Sequence, residues 1–378
     1  MKISEIFIVI PSYSPNTATT NRIMALIRGF SEQGQKTHVT FLISDSYGSK
    51  VQEDIPCIDF TYMWEGKATR NRFLTQLQLE CYSRKYISSL PKEATVFLPW
   101  PSSRLLSLLV KRKDLRVYYE ETEFPELYSM KLFNIRSYFK AILKLEGVFV
   151  ISSGLKEYFL EHKVPSDKIH IINMVVDMTR FTNILKEKGK ERYIAYCGTV
   201  TSTKDGVDVL LKAFSIVNKK HPDLKLYIIG PIPGANEQDN FINLASEMGL
   251  MEKVHFTGLV SYEKMPQMLK NAEVLVLARP DNIQAKYGFP TKLGEYLLTG
   301  NPVVVTKVGD IPLFLIHKDS AYIAEPNCPT DFADKICYVL DNHEEAMIVG
   351  QNGQKVAEKN FNYMIESKKI LRVIDSTN

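Results

Sequence analysis

What this chain lacks narrows its class before any motif is read. No run of 18 or more apolar residues occurs, so no membrane-spanning helix is expected. The start, MKISEIFIVIPSY, passes from Met into a short apolar strand bounded by proline, and no signal peptide is read there. The five cysteines, Cys57, Cys81, Cys197, Cys328 and Cys337, are odd in number, scattered and free of C-x-x-C spacing. Neither a disulfide framework nor a zinc site is expected from them, and a reducing cytoplasm is the setting they suit. Asp-x-Asp occurs nowhere, and no histidine falls between His38 and His162. The formal net charge of +4 is too small to argue for nucleic acid.

What is present is the composition of an ordinary globular protein, 45% hydrophobic and 24% charged, over 378 residues that suit two domains. The basic surplus sits in the first half: residues 1–182 carry 24 Lys/Arg against 19 Asp/Glu, and the rest 23 against 24. Apolar strand-like runs alternate with helical periods, the pattern of parallel sheets covered by helices on both faces. IFIVI (6–10), HVTFLI (38–43), ATVFL (94–98), RVYYE (116–120) and GVFVIS (147–152) supply a first sheet. YIAYCG (193–198), LKLYIIG (224–230), VHFTG (254–258), VLVLA (274–278) and PVVVT (302–306) supply a second. Val207, Leu210, Leu211, Phe214 and Val217 form a helical stripe. The polar stretch 183–192 reads as the hinge, giving domains 1–182 and 183–360. The expected fold class is α/β, with two doubly wound Rossmann-like domains.

The most informative stretch is RPDNIQAKYGFPTKLGEYLLTGNPVVV, residues 279–305. A strand, a loop, a helix opening at Pro290 and a second strand follow in close order. That order sets free backbone N–H groups at Thr291 to Gly294, with the positive end of the helix dipole, where a diphosphate could sit. Glu295 lies one turn further in, placed to accept two ribose hydroxyls. The stretch resembles the donor-site signature of glycosyltransferase family 4: a Glu, Gly-Phe-Gly-x-Pro, a second Glu eight positions after the first, then Gly-x-Pro-Val-Val. Gly288, Phe289, Pro290, Glu295, Gly300, Pro302, Val303 and Val304 fit it, while Tyr287 stands where the first Glu would be. The resemblance implies the GT-B architecture, with two domains facing across a cleft, and a last helix, 361–378, returning to the N-terminal domain. IINMVVDMTRF (171–181) looks like the family segment that precedes the hinge.

A second signal is CGTVTSTKDGVDVLLKAF (197–214), rich in small residues and entering a helix at about Asp205. It resembles the family's Gly-Arg followed by Lys-Gly: Gly198 and Lys204 match, and Thr199 replaces the arginine. Lys204 would neutralise the leaving diphosphate, or is a solvated loop lysine. Arg279, at a strand end, and Lys292, in a first helical turn where a cation opposes the dipole, can supply the missing charge. Gly230, in Gly-Pro-Ile-Pro-Gly, and Leu259, after Gly258, stand where the family keeps turns beside the nucleotide; strand-exit turns explain both nearly as well.

On the N-terminal side, Ser14, Asn16 and Thr17 occupy the loop where the family has a Gly-Gly pair reaching donor phosphate or acceptor. Glu123, in YYEETEFPE, reads as an acceptor-side carboxylate or as a surface acid. The resemblance implies a nucleotide-diphospho-sugar donor, a glycan or lipid-linked glycan acceptor of surface polysaccharide type, and retention of configuration. No metal or other cofactor is expected, since the acidic pair that would bridge a metal to the diphosphate is missing. The segment 127–146, with Leu132, Ile135, Phe139, Ile142 and Leu143 on one stripe flanked by Lys131, Arg136, Lys140 and Lys144, reads either as a helix on anionic lipid at the inner membrane face or as one packed on its own domain. Rival readings are a sugar-nucleotide epimerase or hydrolase, and a catalytically silent nucleotide-sugar-binding protein.

Overall fold

The computed structural model describes residues 5–45, 47–65, 71–128, 132–187 and 191–376. The chain forms two units, Met1–Asp177 with Tyr363–Asn378, and Met178–Asn362. The division falls at Asp177 and Met178, ahead of the stretch 183–192, of which residues 188–190 lie outside the described residues.

The first unit is built on a seven-stranded sheet, every pairing parallel, in the order β3-β2-β1-β4-β5-β6-β7. The strands are β1 (Ile6–Ser12), β2 (Thr37–Ile43), β3 (Ile58–Tyr62), β4 (Thr95–Leu98), β5 (Arg116–Glu121), β6 (Gly147–Val150) and β7 (Ile169–Ile171). β4 and β6 are buried at every position, as strands covered on both faces must be. The two edge strands escape a sequence reading: β3, IDFTY, mixes exposed and apolar residues, and β7 has only three residues. Ile23, Ile27 and Phe30 of the helix Ala18–Glu32 join Ile8, Phe41, Phe97 and Phe149 of the sheet in one core.

The C-terminal helix Tyr363–Ser376 completes that core with Ile370 and Ile374, both fully buried. It comes close to the first helix because Gly29 carries no Cβ; one placed there would meet Ser367 Cβ at 2.7 Å. Glu366, also fully buried, accepts the Asn173 N–H at 2.9 Å and pairs with Lys369 at 2.6 Å.

The helix Leu132–Ile142 favours the packed reading of 127–146 for part of its stripe. Phe139 and Ile142 are buried in this unit, and Phe139 stacks on His162 at 4.0 Å with Phe159 edge-on at 5.4 Å. Phe139 and Ile142 are therefore core, and a 3.6-residue apolar period reads the same whether it faces a sheet or a bilayer. Arg136, Lys140, Leu143 and Lys144 are exposed, while Lys131 and the side chain of Leu132 lie outside the described residues.

The second unit has a six-stranded parallel sheet in the order β10-β9-β8-β11-β12-β13. Its strands are β8 (Tyr193–Cys197), β9 (Lys225–Ile229), β10 (Val254–Gly258), β11 (Val274–Leu277), β12 (Val303–Thr306) and β13 (Tyr322–Ala324). The stripe Val207, Leu210, Leu211, Phe214 and Val217 is buried on the helix Val207–Lys220. Asn301, 1% exposed, explains part of the Gly-Asn-Pro-Val-Val run: its amide donates to the carbonyls of Leu269, Lys270 and Ala272 at 3.1, 2.9 and 3.0 Å, satisfying the end of the helix Met265–Asn271. The strand order reverses between β8 and β11. In an open α/β sheet a ligand binds beyond the carboxyl ends of the strands at such a point.

Candidate functional site

Three glycines line the exits of β8, β9 and β10. Gly198 N–H donates to Ile229 O at 2.8 Å, Gly230 N–H to Gly258 O at 2.9 Å, and Val200 N–H to Pro231 O at 2.9 Å, so the exits lie side by side. A Cβ on Gly230, whose φ is +134°, would collide with the Gly198 carbonyl; one on Gly198 would meet Lys292 Cε at 2.7 Å and the Tyr196 hydroxyl at 2.9 Å. At Gly198 the space is taken by the Lys292 and Tyr196 side chains, and at Gly230 by the Gly198 backbone.

After Gly198 the chain forms a short helix, Ser202–Asp205, capped by Thr201, and passes through Gly206 at φ +66° into the helix Val207–Lys220. The helix thus begins three residues before Asp205. Gly206 is fixed by close approach: a Cβ would strike the Ala278 carbonyl at the end of β11. Thr199 is exposed and Lys204 half-buried on this loop. The Asn282 amide donates to Thr203 O at 2.7 Å, tying the loop to the segment after β11.

That segment holds Arg279, a short helix Ile283–Tyr287 where a loop is expected, and the helix Thr291–Leu298. No side chain caps the latter. The Leu293 N–H bonds Pro290 O at 3.1 Å, so Thr291 and Lys292, rather than the run to Gly294, offer their N–H groups forward.

Lys292 lies in the first turn of that helix, as the sequence suggests, but its ammonium already has protein partners. Its ammonium pairs with Asp205, which is 1% exposed, and lies 3.3 Å from the Tyr196 hydroxyl; that hydroxyl donates to Asp205 at 2.7 Å. Burial raises the Asp205 carboxyl, but Lys292, Tyr196 and the nearby Arg279 overcome it and hold it below its usual range. The cation in the first helical turn is thus answered by a buried carboxylate. Arg279 is 2% exposed, donating to Gln284 O at 2.9 Å, while its own carbonyl accepts from Thr306 Oγ1 at 2.6 Å. It braces the base of the site. Phe289 is also structural, packed with Phe314 at 5.5 Å and Phe361 at 5.4 Å. Tyr287 is half-buried with Lys286 over its ring at 5.1 Å, and Leu259 is 82% exposed on the turn after Gly258.

Glu295, 18% exposed, points from the same helix, with Tyr296 behind it. The Tyr296 hydroxyl accepts the Cys197 N–H and donates to its carbonyl at 3.1 Å, locking the helix to the end of β8. Burial pushes the Cys197 thiol up to about 12, with Glu295 adding to the effect, so it is no nucleophile. The residue that sequence reasoning missed is Arg180, on the 3-10 turn Met178–Phe181: it pairs with Glu295 and lies over the Tyr262 ring at 3.6 Å. Its signal was Met-Thr-Arg-Phe, in a segment noted only for its place before the hinge.

In the first unit Thr17 caps the helix Ala18–Glu32, accepting the Thr20 N–H at 3.2 Å and donating to Ser14 O at 3.3 Å. Asn16 is exposed at φ +64°, a conformation asparagine tolerates better than most residues. Glu123 is partly buried just past β5, its N–H directed at the Glu121 carboxylate at 3.4 Å. Among the described residues, no group of three or more His, Cys, Asp and Glu could hold a metal ion, and no helix is long and apolar enough to cross a membrane.

Residues 177–356 match the family model described as glycosyl transferases group 1. An uncharacterized glycosyltransferase of Methanocaldococcus jannaschii is 25% identical over 241 residues, 61% of this chain and 59% of its own length. A D-inositol 3-phosphate glycosyltransferase of Corynebacterium aurimucosum is 25% identical over 42% of this chain and 37% of its own. The chain thus spans about six-tenths or less of these relatives. Sucrose-phosphate synthase from Thermosynechococcus elongatus superposes with a TM-score of 0.78 at 16% identity, covering 99% of this chain and 98% of that one. Anabaena HepE in complex with UDP-glucose gives 0.74 at 14% identity, covering 98% and 99%. Residues 177–356 belong to the group 1 glycosyl transferases, and the chain as a whole has the GT-B fold.

Proposed function

We propose that this protein transfers a hexosyl group from a nucleoside-diphosphate sugar to a glycan or lipid-linked glycan, with retention and without a metal, in the assembly of a surface polysaccharide. The observation that carries the reading is the convergence, beyond β8 and β11, of a bare glycine ledge, Lys204 and a helix N-terminus with Glu295 one turn in. The ledge and the Thr291 and Lys292 N–H groups suit a diphosphate, and Glu295 suits ribose hydroxyls. In the transfer, the bond from the anomeric carbon to the diphosphate breaks and its electron pair leaves with the phosphate. The acceptor oxygen bonds the same face, and its proton passes to a leaving phosphate oxygen. Lys204 would offset the charge that grows there. Arg279 and Lys292 are reassigned to bracing the site, and Glu123, Ser14, Asn16 and Thr17 remain the acceptor-side residues. An approach to a lipid-linked acceptor at the inner membrane face would rest on charge, through Arg136, Lys140 and Lys144.

The test is a thermal-shift screen of UDP-, GDP- and ADP-sugars, with UDP-glucose first because a protein of this fold was crystallised with it. Ligand at 100 times its Kd stabilises by about 2.7 kcal/mol. Glu295→Ala should weaken donor and free diphosphate alike, by about 1.5 to 3 kcal/mol; unchanged affinity in a folded variant removes Glu295 from the site. Lys204→Ala should lower turnover more than donor affinity, and turnover should persist in EDTA. Donor consumed without acceptor would mark a hydrolase or epimerase. Binding with no turnover on any acceptor would mark a silent binder, the outcome that Tyr287 and Thr199 make worth checking.

A further inference from the structure

Arg180 touches Tyr262 twice and the carboxylate assigned to the nucleotide once, with the neighbouring Phe181 ring at 5.9 Å. Its Nη1 donates to Glu295 Oε1, its Nη2 donates to Tyr262 O at 3.2 Å, and its guanidinium lies over the Tyr262 ring at 3.6 Å. Arg180 is 10% exposed and Glu295 18%, so the pair is largely shielded from water. A guanidinium fixed by a ring face and a carbonyl is a rigid anchor, and it sets where the carboxylate oxygens stand. A carboxylate has about four lone-pair sites, so an arginine on one oxygen leaves capacity for hydroxyl donors. We infer that Arg180 is a positioning residue for the donor nucleotide, holding Glu295 so that it receives the ribose hydroxyls without rotamer loss on binding. This rests on the nucleotide reading of Glu295 above.

The pair belongs to two different stretches of chain. Arg180 sits where the chain enters the second unit, 115 positions before Glu295, while Tyr262 follows β10. Both Arg180 and Tyr262 lie outside the Thr291–Leu298 helix that carries Glu295. A lysine at 180 would keep the charge but lose the planar fork and most of the ring contact.

The experiment is a binding cycle by calorimetry, using whichever of UDP, GDP and ADP the parent binds best, with its 2′-deoxy and 3′-deoxy forms. Arg180→Gln is expected to weaken the ribonucleotide by about 5- to 20-fold, the range of a lost charged hydrogen-bond partner acting at one remove. That loss should shrink to within about twofold when the hydroxyl facing Glu295 is absent, and Arg180→Lys should recover part of it. The same fold-loss for ribo- and deoxynucleotides, or no loss, overturns the inference and leaves a purely structural ion pair. Should Arg180→Gln not fold, Arg180→Lys and Tyr262→Leu carry the same cycle. A parent that binds no nucleoside diphosphate removes the donor reading itself. A parent that binds, is weakened by Glu295→Ala and gives an additive Arg180 cycle loses only this inference.

Discussion

Glu121 ends β5 as a carboxyl that is 1% exposed and receives hydroxyl hydrogen bonds from Tyr119 at 2.8 Å and Tyr138 at 3.0 Å. Burial dominates those bonds and lifts its pKa to about 7, from 4.5 in the unfolded chain. The folded state therefore binds the proton more tightly. Its contribution to stability is full below about 4.5 and is lost as pH rises through about 7, a decline of about 3 kcal/mol at 1.36 kcal/mol per unit. Glu121→Gln keeps an acceptor for both tyrosines and carries no charge. Its stability relative to the parent should grow by about that amount between pH 5 and pH 8. Urea denaturation at several pH values measures it, and parallel profiles for the two proteins would sink the assignment. At this scale the sequence disclosed types and not partners. Glu295 and Lys204 were singled out because their spacing follows a pattern. The pairing of Lys292 with Asp205, 87 positions apart, and of Arg180 with Glu295 were not, because long-range ion pairs leave no period in the chain.

The helix Leu132–Ile142 shows the same limit for whole elements, since Phe139 of its apolar face packs on Tyr158, Phe159 and His162. Phe139→Ala should cost about 3 to 5 kcal/mol, as truncating a buried aromatic does. Changing Arg136, Lys140 and Lys144 together to Glu should leave stability nearly unchanged, because all three are exposed. The parent is expected to sediment with anionic vesicles at low salt and to be released at high salt, and the triple variant to stay in solution at both. Equal sedimentation of the two proteins would remove this surface from any membrane role. Runs such as IFIVI and VLVLA announce buried parallel strands, and all ten strands expected from such runs are present. The missed β3, β7 and β13 lie at sheet edges, where burial on one side or a length of three residues weakens the apolar signal.

At the scale of the molecule, the chain passes between units at two points. At the first, Asp177 is tied to Arg28 at 2.6 Å within the first unit, and Arg180, three residues on, to Glu295 within the second. At the second, Phe361 packs on Phe289 and Phe314, and Tyr363 donates to Glu32 at 2.7 Å. Deleting 363–378 would expose the sites of Ile370, Leu371 and Ile374, each worth about 1.5 to 3 kcal/mol when buried. The sum approaches the whole stability of an ordinary domain, about 5 to 15 kcal/mol. The truncated protein should lose the first unit's melting transition and keep the second's, with nucleotide affinity intact; calorimetric scanning with and without diphosphate separates the two. A truncated protein that retains both transitions would show the helix to be dispensable.

The return of that helix also fixes an order of completion. The second unit, Met178–Asn362, is one uninterrupted stretch and has all its residues before Tyr363 is added. The first unit, begun earlier in synthesis, lacks Ile370 and Ile374 of its core until those residues have left the ribosome. Of the two units, the one begun first is completed after the other, and a chain stalled or cut before Tyr363 would carry a whole second unit and a first one still open.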